Sequence, residues 1–543
     1  MSRLTIRSQA PVFAVTIVML SLGVACTGAT QTLGLEGGAS QASNGPAGKV
    51  VVALSPLSTG TVDPALEQGT LDFANIEPLY NRLLENPKDS LELAPGIATK
   101  WNVSPDGKTV EFTIRDGVRF HNGDILAPED VVFSMERTRR ISNPGRNPYF
   151  QRVLQSVEAT GDSVVFHLKE PDWTFLSTLA RTPVYSIVPK KYVEQVGDGG
   201  FLKAPVGTGP FKFVSGSKQE YLDLEAVDYE HFLWRPGVKQ LRNVMVSEET
   251  TRLAMLRTGE ADLAQVSVPS LQGIQGDSKL RVLKVPNIGG LQIYMFGQGD
   301  SQNPLSKVEV RRALSLAIDR AAIANGVYRG NARAVGTAMW NPSQPGFPEW
   351  GLKPAPYDMD KAKELLAAAG YPGGKEIKLT FHNAEYSPTP LGTQVATVIA
   401  SAWQKLGVEV ELRSWEWGAY LPLSRSGKFG SPANVSIHAS NFPGDTGGIM
   451  GFTRTGSYAH ASGTADGAYP TIADMAEQFV LELDPAKRDA LRDKILAFDR
   501  DNVVSIPLII QDGLWAAGPR LLEYTPKLGF LGAGNMYTIK VTP

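Results

Sequence analysis

Cysteine and histidine are both scarce in this chain, one and six among 543 residues. A single thiol leaves no internal disulfide and no thiolate set for a metal. The histidines (His121, His167, His231, His382, His438 and His460) show neither H-E-x-x-H nor close pair spacing, so no metal site and no cofactor is expected. Positive charge is not in surplus either: 53 Lys and Arg stand against 55 Asp and Glu, a net charge of −2. Nothing is left over to neutralise a phosphate backbone, which argues against a nucleic-acid partner. G-x-S-x-G does not occur. The S-G-S-K stretch from Ser215 to Lys218 lacks the companion S-D-N and K-T-G elements and follows a strand pattern, so an enzyme is not expected. Internal repeats are absent. Beyond the N-terminal region no run approaches eighteen apolar residues.

What is present begins at that N-terminus. Arg3 and Arg7 precede an uncharged, mostly apolar run that ends at Cys26, the pattern of a secretory signal over residues 1–25. L-G-V-A-C resembles the bacterial lipoprotein signal, although Gly23 stands where a branched apolar residue is usual. The resemblance implies acylation of Cys26 and a membrane held through lipid. Residues 26–48 are small and polar and read as a flexible tether.

The folded region opens with K-V-V-V-A-L at Lys49, a buried-strand run. Further strands are predicted at Thr109, Val164, Phe211, Arg281 and Leu291. Helical periodicity places Val310, Leu314, Ala317 and Ile318 on one face. Asp358 and Gly370 bound a second helix, a third runs from Val395 to Leu406, and Asp484 caps a fourth with Pro485 at its first position. Strands and helices are mixed throughout, an α/β class with more than one sheet. The stretch A-P-V-G-T-G-P-F-K-F, Ala204 to Phe213, looks at first like a phosphate cradle. Pro205 and Pro210 lack the N–H donors a cradle needs and a strand follows, so a rigid turn is the better reading.

That turn also resembles the G-T-G-P-F/Y segment of the extracytoplasmic solute-binding proteins of ABC importers, family 5, the peptide- and nickel-binding type. Further segments follow in the family's order. They are Leu93 to Met135 (with Ile125 where proline is usual), G-E-A-D-L at Gly259, V-R-R-A-L-S-L-A-I-D-R at Val310, Y-D-M-D-K-A-K-E-L-L at Tyr357 and W-Q-K-L-G-V-E-V-E-L at Trp403. The resemblance implies a two-lobed periplasmic-binding-protein-like fold of class II, with an extra subdomain and mixed sheets flanked by helices. Lobe I would comprise residues 49–86, 204–287 and 506–543. The inserted subdomain would cover 87–203 and lobe II 288–505. The chain would cross between lobes near Pro286–Gly290 and Val503–Pro507.

A closing receptor needs aromatic walls and a few polar groups. R-S-W-E-W-G-A-Y-L supplies Trp415, Trp417 and Tyr420, and Trp417 matches the position of a cleft aromatic in the family. I-H-A-S-N-F-P-G-D offers His438, Asn441, Phe442 and Asp445. Asn441 stands where peptide-binding members carry an acid that pairs with the peptide's ammonium group. Trp340 and Phe347 in a proline-rich loop, Ser58 or Thr59 after the first strand, and Arg454 are further candidates, each with a packing or solvated alternative. The function implied is capture of a peptide-like or other small polar solute by a monomeric receptor and delivery to the membrane permease subunits. A non-peptide cargo (opine, sugar or metal chelate) and a sensor serving a signalling partner are the alternatives.

Overall fold

The computed structural model describes residues 47–55, 61–66, 72–87, 90–141, 148–218, 220–384, 391–426, 429, 433–441, 449, 469–527 and 534–542. Cys26 and the tether lie outside them. Among the described residues no helix is long and apolar enough to cross a membrane, and no group of three His, Cys, Asp or Glu is placed to hold a metal.

The principal strands in chain order are β1 (Ala47–Leu54), β2 (Ala98–Val103), β3 (Thr109–Ile114), β4 (Leu154–Thr160), β5 (Ser163–Leu168), β6 (Phe211–Ser217), β7 (Tyr221–Ala226) and β8 (Val238–Met245). They continue with β9 (Leu263–Gln265), β10 (Arg281–Met295), β11 (Ala332–Ala334), β12 (Lys378–Ala384), β13 (Glu409–Trp415), β14 (Asn434–Asn441) and β15 (Ser505–Ala517). Helices used below are α1 (Pro128–Arg140), α2 (Lys190–Lys203), α3 (Val308–Leu316), α4 (Met359–Ala368), α5 (Gly392–Gln404), α6 (Trp417–Ser426), α7 (Pro470–Leu481) and α8 (Pro485–Asn502).

Among the described residues eleven strands form one mixed sheet in the order β13-β12-β14-β10-β15-β9-β1-β8-β7-β6, with β11 pairing β15. β1 lies parallel to both β8 and β9, and its Val52 and Ala53, on opposite faces, are both fully buried, as a strand covered on both faces requires. A separate antiparallel sheet runs β2-β3-β5-β4.

Among the described residues there are three large apolar cores and a small cluster of Val335, Ala338 and Ile510. The first joins Val50, Leu79, Tyr80, Phe201, Phe211 and Leu241 to Trp515 and Ile539 from the C-terminal segment. The second lies wholly within residues 83–187, around Phe112, Phe166 and Phe175. The third is the largest and holds α3, α5 and the buried faces of β12 and β14. The predicted helices and caps are found here: Val310, Leu314, Ala317 and Ile318 are all buried. The Asp358 carboxylate accepts from the Lys361 N–H at 2.8 Å, and Asp484 accepts from Lys487 N–H at 2.9 Å.

The two strands read separately at Arg281 and Leu291 are a single fifteen-residue strand, β10, running beside β15. Their ladder shifts register twice, between Val285 and Gly289 and between Leu291 and Gln292, and the first shift is the wider. Val285 faces Gly513 and Gly289 faces Gln511, so Pro286, Asn287 and Ile288 bulge against Asp512 alone. Asn287 takes a left-handed φ of 56° and is fixed from several sides. Its N–H donates to Asp512 Oδ1 (3.3 Å), its carbonyl accepts from Asn341 Nδ2 (2.8 Å), and its Oδ1 accepts from the Arg333 guanidinium (3.0 Å). On β15 the residue opposite the break is Asp512. Val504 and Ile506 lie in the third core, and β15 pairs with β10 from Ser505 onward.

The G-T-G turn is scaffold. Gly207 N–H donates to His121 Nδ1 (3.2 Å), and His121 Nε2–H donates to the Gly209 carbonyl (3.0 Å). On the other side His231 Nδ1 accepts from the Leu233 and Trp234 N–H groups, and its Nε2–H donates to the Thr208 carbonyl at 2.8 Å. Both imidazoles are therefore held neutral with the proton on Nε2, and burial pushes each pKa down to about 4.

Candidate functional site

The strand directions define the site. In the half containing the first core, β1, β8 and β9 run parallel and end at Leu54, Met245 and Gln265, on the side of the β10–β15 break. In the other half β12, β13 and β14 run parallel and end at Ala384, Trp415 and Asn441. Asn441 pairs with Gly289, at the margin of the break itself. Two sets of strand C-termini therefore point toward the same junction from opposite sides. Loops beyond the carboxyl ends of parallel strands are where such sheets bind ligands, because the chain is free there of ladder constraints.

The expected residues distribute unevenly over this frame. Trp417 opens α6 directly past the end of β13, and Asn441 closes β14 at the break. Ser58, Thr59, Phe442, Asp445 and Arg454 lie outside the described residues. Three expectations are corrected. Tyr420 is fully buried and its hydroxyl donates to the Ile437 carbonyl at 2.6 Å, so it fastens α6 to β14 from the core side. Trp340 is likewise a core residue: its indole N–H donates to the Pro345 carbonyl (3.1 Å), and its ring meets Phe479 edge-on. His438 is buried in β14 with its ring 5.7 Å from that of Tyr294, in place of a cleft-facing position. Phe347 packs half-buried against the third core.

Trp415 is tied down by a group that the sequence did not single out. Its indole N–H donates to His382 Nδ1 (3.0 Å), and His382 Nε2–H donates to Asn434 Oδ1 (2.9 Å) while the imidazole stacks on Phe429 at 3.9 Å. The relay fixes one neutral tautomer, and burial lowers the imidazole pKa further. It crosses the C-terminal ends of β12 and β13 and stiffens the base from which Trp417 emerges.

A second unannounced contact spans the cores. Trp173, between β5 and the segment Phe175–Arg181, lies against the third core. Its indole N–H donates to the Phe479 carbonyl in α7 (2.9 Å), its ring meets Phe479 edge-on, and the Arg488 guanidinium of α8 sits over it at 4.2 Å. The only sequence signal was a lone tryptophan after E-P-D in a loop.

The arrangement of strands and cores is shared with known proteins. The family model of bacterial extracellular solute-binding proteins, family 5 (middle region), matches residues 92–458. Heme-binding protein A of Haemophilus influenzae is 32% identical over 390 residues, covering 66% of this chain and 69% of that protein. The dipeptide-binding protein of Escherichia coli is 30% identical over 408 residues, 70% of this chain and 74% of that one. The solved periplasmic binding protein DppA of Helicobacter pylori, in complex with the peptide STSA, superposes with a TM-score of 0.72 at 24% identity, over 91% of this chain and 98% of the other.

Proposed function

Because this chain belongs to the bacterial extracellular solute-binding proteins of family 5, we propose that it captures a small polar solute between two lobes and delivers it unaltered to the membrane permease of an ABC importer. The observation that carries this reading is the convergence of two sets of parallel-strand C-termini on one break in the β10–β15 ladder. A solute bridging both sets is bound by both only when they approach, so it shifts an open population toward closure by its differential affinity.

In this reading lobe I comprises residues 49–86, 204–287 and 506–543, the inserted subdomain 87–203 and lobe II 288–505. Trp417 and Asn441 contribute from lobe II and Ser58 from lobe I, while Cys26 carries the lipid that keeps the monomer near its permease. Relatives bind heme and dipeptides by name. The neutral Asn441 favours a solute without a free ammonium group there, because an enclosed ammonium lacking a counter-charge costs several kcal/mol. A peptide blocked at its amino end, or a non-peptide cargo, meets that condition. A thermal-shift panel of dipeptides, their N-acetylated forms, heme, sugars and opines identifies the class. The acetylated forms are expected to stabilise at least as well as the free ones, and Asn441→Asp to reverse the order; a free-amine preference in the unaltered protein would count against the assignment.

The Trp173 contact bears on the same equilibrium, since it joins residues of the inserted subdomain to α7 and α8 of lobe II. Trp173→Ala removes a hydrogen bond and a cation–π contact, together worth about 1–2 kcal/mol of bias toward closure. Apparent solute affinity is expected to fall roughly five- to thirty-fold. Titration of the variant beside the unaltered chain checks this, and equal affinities would show the contact to be indifferent to closure.

A further inference from the structure

A cavity of about 660 Å³ opens in the half built on the first core, between the β6–β7 hairpin, the end of α2 and the end of β8. Such a volume suits a small organic ligand. Tyr221, at the hairpin tip, pairs with Val244, and β8 runs parallel to β1, so the cavity lies at the same edge of the sheet as the C-terminus of β1 but displaced toward the outer strands.

Its chemistry is one-sided. Lys203, Lys218, Asn75 and the Tyr221 hydroxyl contribute donors, and no carboxylate is among the described residues that line it. Neither lysine has an ion-pair partner among the described residues. Asn75 is only 2% exposed; its Oδ1 accepts from Asn243 Nδ2 at 3.1 Å, which leaves its amide N–H groups without an acceptor among the described residues. Val62, Phe213 and Leu222 form an apolar floor.

We propose that this cavity is a second binding site, for an organic anion that carries an apolar body behind a carboxylate or similar head. Lys203 and Lys218 hold the head, the Asn75 amide donates to it, and the floor takes the body. None of these residues belongs to the junction at the β10–β15 break, so the site is loaded independently of the transported solute.

The test is displacement of 8-anilinonaphthalene-1-sulfonate from the processed chain by 3-phenylpropionate and by 3-phenylpropanamide, which share a body and differ in charge. The carboxylate is expected to displace the dye at a concentration about tenfold lower than the amide, a difference of one ordinary charge interaction. The preference is expected to vanish in Lys203→Met/Lys218→Met, two substitutions at accessible positions that leave the melting temperature in place. Ser217→Trp, which fills the cavity, is expected to abolish displacement by both compounds. Equal displacement by the two compounds in the unaltered chain overturns the proposal, as does a preference that survives the double substitution.

Discussion

Gly207→Ala is expected to destabilise the protein by roughly 3 kcal/mol or more, the upper end of what overpacking a core costs. A Cβ at this position would lie 2.1 Å from the Leu79 carbonyl oxygen and 2.5 Å from the Tyr80 ring. The neighbour is backbone, and that backbone also accepts the Gly209 N–H at 2.9 Å, so it cannot withdraw without breaking the turn. Gly209→Ala meets the Pro78 carbonyl at 2.3 Å and should behave alike. Guanidinium unfolding of both variants checks the expectation, and a loss under 1 kcal/mol would show the turn to be far more yielding than its contacts imply. The glycines are thus needed for room, and solute affinity measured on whatever fraction folds should be unchanged.

Acid is expected to act on the same turn. His121 and His231 have folded-state pKa values near 4, whereas in the unfolded chain each returns to about 6.5. Below pH 6.5 the unfolded state therefore binds two protons that the folded state does not, and stability falls with falling pH until about pH 4. Asp499 opposes them: burial raises its carboxyl to about 7, so folding retains a proton there that the unfolded chain releases between pH 4 and 7. Two protons against one leave these three groups a combined slope of about 1.4 kcal/mol per pH unit across that window. His231→Asn is expected to reduce the slope by about one proton, measured as the pH dependence of unfolding free energy between pH 6.5 and 4. A slope unaltered by the substitution would mean that His231 is protonated in the folded protein, against the two N–H groups its Nδ1 accepts.

Much of the fold was legible because local signals and tertiary needs agreed. K-V-V-V-A-L reads as a buried strand and is one; Asp358, Asp484, Gly370 and Gly407 read as helix boundaries and act as them. The strand β10 was cut in two on paper because P-N-I-G-G has the composition of a turn, while the structure uses it as a bulge that keeps the ladder going on both sides. The site was less legible. An aromatic on a helix face gives the same pattern whether it walls a cleft or fills a core, and Tyr420 proved to be the second kind. The His382 relay joins residues 33 and 52 positions apart, a proximity that no local pattern encodes.

A solute held between the two lobes is expected to draw them together across the break at Pro286–Ile288 and Asp512. Small-angle scattering of the protein, with and without a saturating amount of the panel compound that most raises its melting temperature, tests this directly. A radius of gyration that falls on saturation is the predicted result. An unchanged radius, with the compound shown to be bound in the same sample, would contradict it.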